Sequence, residues 1–158
     1  MIWDNKDFNP SWITQEITPE TVLFAEKLGR HLASDGVHIK KRIDKKTGRE
    51  TDEKIEEVKL STSQLRKFFG EVKRQQIIGY QESSFVMLKP KLAYAVGRAM
   101  DGRKYNRIED LYNVLANAID IVVSPETSDK NRAFHNFIAF FEAIVAYHKA
   151  EENIIKQR

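Results

Sequence analysis

Residues 37–60, VHIKKRIDKKTGRETDEKIEEVKL, divide a chain whose other segments are helical in pattern, and whether they form strands or a loop sets the fold class. The segment has dense charge of both signs, a Thr-Gly turn signal and too few apolar side chains to build a core. It therefore reads as a long surface loop, partly mobile or paired as a loose hairpin around Lys46-Thr47-Gly48. Its mixed charges make it a solvated element rather than a dedicated nucleic-acid arm. With residues 36–60 taken as loop, no strand pattern remains elsewhere. The expected fold is all-α: one domain over residues 1–158, a bundle of about five helices with a charged loop after the first.

The helices on either side carry their own boundary signals. Thr18-Pro19-Glu20 supplies an N-cap hydroxyl, a proline at the first helical position and an acid in the first turn, predicting a helix over about 18–35. Val22, Leu23, Ala25, Leu28 and Leu32 give it a helical stripe that stops at Asp35-Gly36. After the loop, Ser61-Thr62-Ser63 opens a second helix to about Gly79. A third has Ser83 or Ser84 as an early cap, has Pro90 in its first turn or at a kink, and ends at Asp101-Gly102. Asn106 caps a fourth over 107 to about 123, closed by Pro125. Ser128 or Asp129 opens a fifth, 130 to about 155, so that helices two to five span 61–155. The apolar stripe of this fifth helix, Phe134, Phe137, Ile138, Phe141, Ile144 and Val145 widened by Phe140 and Tyr147, exceeds the roughly 100° of a simple surface helix. It belongs at the centre of the bundle or in a subunit contact.

Composition limits the function. A chain of 158 residues can bury a core of its own without staples. It has no cysteine, which removes disulfides and cysteine-based metal sites and makes an intracellular, cytoplasmic setting the easier reading. The first twelve residues lack the basic and apolar regions of a signal peptide. The longest apolar run, AFHNFIAFFEAIVAY, is broken by His135, Asn136 and Glu142 before it reaches the ~20 residues needed to cross a bilayer, so no membrane partner is expected. Net charge is only +3, but it is unevenly spread: residues 61–107 hold 10 Lys or Arg against Glu71, Glu82 and Asp101. That surplus of seven is the informative feature.

Helical spacing sorts these charges onto faces. In the second helix Leu65, Phe68, Phe69 and Val72 share one side, while Arg66, Lys67, Lys73 and Arg74 fall on the other with Gly70 between them. In the third, Leu92, Val96, Ala99 and Met100 oppose Lys91, Tyr94 and Arg98. Solvated helix faces usually alternate charge sign, because acid–base pairs four apart stabilise a helix by about 0.2–0.5 kcal/mol. Two successive faces with almost no acid suit phosphates instead, and an exposed tyrosine between cations can stack on a base or hydrogen-bond a phosphate. Arg103, Lys104 and Arg107 extend the charge through the next loop. Gly70 admits two readings, close approach of a ligand or helix–helix packing.

Catalytic signals are missing. His31, His38, His135 and His148 share no metal-ligand spacing, and there is no HExxH, GxSxG or catalytic carboxylate pair. A helical ribonuclease of the HEPN kind needs four to six residues between arginine and histidine. Arg30 to His38 leaves seven and Arg132 to His135 leaves two. No enzyme, metal or cofactor is expected.

The stretches LSTSQLRKFFGEVKR (60–74), LKPKLAYAVGR (88–98), LYNVLANAID (111–120) and FFEAIVAYHK (140–149) resemble, in order, the signature segments of the small subunit of type III-A CRISPR (Csm) effector complexes. The resemblance covers about residues 60–149, leaving the 37–60 segment as a departure from it. It implies a compact helical, non-catalytic protein of antiviral defence. Several copies would line a ribonucleoprotein groove beside the backbone and large subunits, contacting guide RNA and target RNA. Family basic positions carry over onto Arg66, Lys67, Lys89, Lys91 and Arg98, and polar positions onto Gln64 and Tyr94. Lys73 and Arg74 are added from helical geometry. The alternative is a helical scaffold that self-associates through its fifth helix without nucleic acid, in which Phe140→Asp would dissociate an oligomer.

Overall fold

The computed structural model describes residues 3–157. In chain order its elements are α1 (Ser11–Thr14), α2 (Pro19–Leu32), β1 (Gly36–Ile43), β2 (Glu50–Val58), α3 (Thr62–Ile78), α4 (Glu82–Val86), α5 (Leu88–Ala99), β3 (Tyr105–Asn106), α6 (Ile108–Val123) and α7 (Lys130–Gln157). The all-α expectation is wrong, because a three-stranded sheet in the order β1-β2-β3 stands among the helices.

Residues 36–58 are not a loop. β1 and β2 pair antiparallel from Gly36↔Glu57 to Ile43↔Glu50. The turn is tied where the sequence placed it: Gly48 N–H donates to the Asp44 carbonyl at 2.8 Å, and Asp44 Oδ1 accepts from Lys46 N–H at 2.9 Å. Gly48 takes a φ of +66°, a region open chiefly to glycine. A short apolar count does not forbid strands, because ladder hydrogen bonds satisfy the backbone whatever the side chains are. The register sets Lys40 opposite Glu53 and Lys41 opposite Asp52, and Arg42 reaches Glu53 at 2.7 Å, so opposite charges flank the ladder.

A buried polar knot fixes the hairpin to the helices. β3 pairs parallel to the end of β2, and Arg107 N–H continues that contact by donating to the Val58 carbonyl at 2.9 Å. The Arg107 guanidinium lies inside the protein. Nε donates to Glu57 at 3.1 Å, while Nη1 donates to the carbonyls of His31 at 2.6 Å and Ser34 at 2.7 Å. Asp110 accepts from Tyr105 Oη at 2.6 Å and lies 2.7 Å from His31 Nε2. Burial and the Asp110 carboxylate push the Tyr105 phenol far above its usual pKa, which keeps it a donor. Arg107, expected to extend the surface charge, is instead a structural cation.

Two of the helices open on the caps that the sequence offers, whereas Ser83 and Ser84 lie inside α4 and cap nothing. Thr18 and Thr21 form a capping box at α2, as do Ser61 and Gln64 at α3. The expected third helix is broken at Met87. Pro90 has no N–H, and its ring would clash with the carbonyl four residues back, that of Val86, so α4 stops at Val86 and α5 restarts with Pro90 in its first turn. α7 is the central pillar. Phe134, Phe137, Phe140, Phe141 and Ile144 are all buried, against residues of α1, α2, α3, α4 and α6. Phe8 and Phe24 pack on Phe140, while Phe68 and Phe69 pack on Phe141. The broad stripe is thus filled within the chain, and Phe140→Asp would bury a carboxylate in the core rather than open a subunit contact.

Candidate nucleic-acid interface

α3 and α5 flank an open groove of about 940 Å³. Successive residues rotate by ~100°, which brings Gln64, Lys67, Gly70, Glu71 and Arg74 of α3 to one wall. Lys91, Tyr94 and Arg98, at i, i+3 and i+7, form the other. Phe68, Met87, Pro90 and Ala95 make an apolar floor between the charged rims. α3 is held in place by Leu65 and Val72 in the core, and α5 by Leu88 and Leu92.

Six of the nine residues expected to bind RNA therefore share this groove: Gln64, Lys67, Arg74, Lys91, Tyr94 and Arg98. The other three do not line it. Arg66 is exposed about a quarter-turn further round α3, Lys73 lies over the Phe69 ring at 5.7 Å, and Lys89 reaches Asp120 of α6 at 2.7 Å. Helical spacing put Arg66 with Lys67, and Lys73 with Arg74, on one broad face. The groove opens toward the second member of each pair.

Within the groove the cations differ in their partners. Glu71 gathers two of them, accepting from Arg74 at 2.8 Å and from Lys91 at 3.3 Å. Its hydrogen bond from Arg74, with a further one from Lys91, holds its pKa down to about 2 against the effect of burial. These pairs are solvent-facing, and such pairs contribute only ~0–1 kcal/mol, so a phosphate can replace the carboxylate at little cost. Lys67 and Arg98 have no carboxylate within ion-pair distance among the described residues, and Arg98 sits over the Tyr94 ring at 6.0 Å. Tyr94 is 68% exposed, available for stacking. Gln64 is less free than expected: its Oε1 accepts from the Ser61 backbone at 3.0 Å.

Gly70 settles between its two readings. A Cβ built on it meets nothing within 4 Å, so no neighbouring helix packs there and its surface is groove. Glycine inside a helix costs up to ~1 kcal/mol relative to alanine. Gly70→Ala should accordingly raise the unfolding free energy by about 0.5–1 kcal/mol, read as a higher urea midpoint at unchanged slope.

The donor set that a divalent metal could use lies elsewhere. His31, Glu57 and Asp110 bring ligand atoms within 4.8 Å of one another. Asp110 already holds His31 and Tyr105, and the Arg107 guanidinium against Glu57 supplies positive charge at that place. This cluster joins α2, β2 and α6 rather than opening to the groove.

The family model Csm2 Type III-A matches residues 38–153, about three quarters of the chain. The chain belongs to this family. It is therefore a small subunit of the type III-A Csm complex, and the hairpin that motif resemblance left outside lies, from His38 onward, within the matched Csm2 span. No curated protein and no solved structure matches the chain. No helix among the described residues is long and apolar enough to cross a membrane.

Proposed function

We propose that this Csm2-family chain is a non-catalytic subunit that grips the sugar-phosphate backbone of RNA in the α3–α5 groove. It stabilises the guide–target duplex of the effector complex in cytoplasmic antiviral defence. The observation that carries the reading is the convergence of Lys67, Arg74, Lys91 and Arg98 on one groove with an exposed tyrosine. Lysine and arginine to phosphate contacts fix position without reading bases, which suits a complex whose sequence recognition belongs to guide–target pairing. Copies repeated along one RNA, beside the backbone and large subunits, would convert weak individual grips into stable assembly.

With about four phosphates neutralised per subunit, log affinity for single-stranded RNA falls with log salt at a slope of roughly −3, since each phosphate contributes about −0.7. The test compares the wild type with Lys67→Glu plus Arg98→Glu by salt titration on a generic single-stranded RNA. Losing two contacts should make the slope shallower by about 1.4 and weaken binding at least ~10-fold at low salt. Equal affinity and slope in the two proteins would remove the reading. The scaffold alternative rested on the width of the α7 stripe, which the chain's own core now accounts for.

A further inference from the structure

We propose that the β1–β2 hairpin and the loop after α5 form a second phosphate-binding surface, which extends the grip on RNA beyond the α3–α5 groove. Lys40 on the hairpin, Arg103 and Lys104 on the loop and Tyr105 of β3 wall a cleft of about 630 Å³, in which Glu109 is the one acidic residue among the described lining. Lys40 and Arg103 have no carboxylate within ion-pair distance among the described residues. Lys104 has only a distant one, Glu56 at 3.8 Å, in a pair whose members are both more than half exposed. Pairs of that kind are worth ~0–1 kcal/mol and yield readily to a phosphate.

The cleft is a firm surface although its cations are solvent-facing. Tyr105 belongs to β3, is paired to β2, donates to buried Asp110 and meets His38 of β1 edge-on at a ring separation of 5.8 Å. Gly102, at φ +61°, allows the turn in which Lys104 N–H donates to the Asp101 carbonyl at 3.2 Å. The charge of this cleft follows from the cationic groove along the same stretch of chain: Arg98 lines the groove, and the cleft lining starts at Gly102. Two like-charged clefts joined through residues 98–102 cost self-repulsion in the free protein, and a polyanion reaching both relieves it. An RNA backbone meets that requirement because its charge repeats along its length.

The inference rests on the reading that the chain binds RNA, and separate variants keep the two distinguishable. Full-length wild type, Lys40→Glu plus Arg103→Glu, the groove variant Lys67→Glu plus Arg98→Glu, and the combination of all four are titrated with salt on one single-stranded RNA. The hairpin variant should bind about 10-fold more weakly at low salt with a slope shallower by about 1.4, and its loss should add to that of the groove variant. Lys40→Gln plus Arg103→Gln, which removes charge without reversing it, should shift the slope by the same amount and serves if the glutamates impair folding. Wild-type affinity and slope in the hairpin variants, with weakening confined to the groove variant, would overturn this inference and leave the groove standing. That outcome would point to an acidic protein segment as the occupant of the cleft. Absence of RNA binding by the wild type at low salt would overturn both.

Discussion

Arg107→Leu should lower the unfolding free energy by about 3–5 kcal/mol, the range for breaking one side of a buried ion pair. The guanidinium side chain is 6% exposed and faces Glu57 at 3.1 Å. The same group is donor to the backbone carbonyls of His31 and Ser34, at the end of α2, and to Ser34 Oγ at 3.0 Å. Leucine matches some of its volume but makes none of these four contacts, so burying those acceptors without it costs desolvation energy. Total domain stability is commonly about 5–15 kcal/mol, so the variant should lose about a fifth or more of its margin. Arg107→Lys restores the charge as a point rather than a fork and should recover only part. Urea unfolding followed by circular dichroism checks this, with Arg66→Ala as the exposed arginine control, expected within about 0.5 kcal/mol of wild type. If Arg107→Leu melted with that control, the polar knot would not be what holds the hairpin to the bundle.

That knot also explains which parts of the molecule could be read in advance. Helix positions were legible because they depend on local signals: Thr18 and Ser61 at caps, Pro90 near a start, Gly79 just past an end. The hairpin was half legible. Its turn at Lys46-Thr47-Gly48 was placed by chemistry that is local, but strand formation here relies on pairing across the turn and on anchoring by Glu57, 50 residues from Arg107. No window of sequence shows that two charged residues will be buried together. Composition argues against burying either one, and their pairing together with further hydrogen bonds makes it tolerable. The groove was legible to the extent that helical spacing is: Lys91, Tyr94 and Arg98 emerged together, as did Lys67 with Arg74. Arg66 and Lys73 fall outside the groove because spacing gives the angle between residues on a helix and not which angle its neighbours leave open, and Lys89, a position taken from the family resemblance, turns to Asp120. Glu71 enters the sequence reading only as one of three acids in the charge count, yet by holding Arg74 and Lys91 it sets the resting state of the groove.

The same substitution, glycine to alanine, should have opposite signs at two helical positions, and the second has the larger consequence. At Gly70 the added methyl enters open groove. At Gly29 of α2 it would lie 2.8 Å from the His148 backbone nitrogen, the Ile144 carbonyl oxygen and Tyr147 Cβ of α7, all closer than side-chain carbons approach in folded proteins. Two of those three atoms belong to a helix backbone that cannot turn aside, so the helices must separate. Their contact is long: Phe24 packs near Phe140, Gly29 sits against residues 144–148, and Arg30 approaches Glu151 at 3.7 Å, so the two helices run in the same direction through the core. Separation would also strain the hydrogen bond from His148 Nε2 to the Leu60 carbonyl at 2.8 Å, which links α7 to the chain entering α3. Overpacking of this kind costs about 1–3 kcal/mol, and alanine's better helix propensity returns at most ~1. Gly29→Ala should therefore lose stability while Gly70→Ala gains it, and Gly29→Val, with two further carbons and no propensity gain comparable to alanine's, should lose more than about 3 kcal/mol. Parallel urea titrations of the three variants read the order directly. A Gly29→Ala midpoint at or above wild type would mean that α2 and α7 do not approach so closely, and the packing of the N-terminal aromatic residues on α7 would need a different geometry.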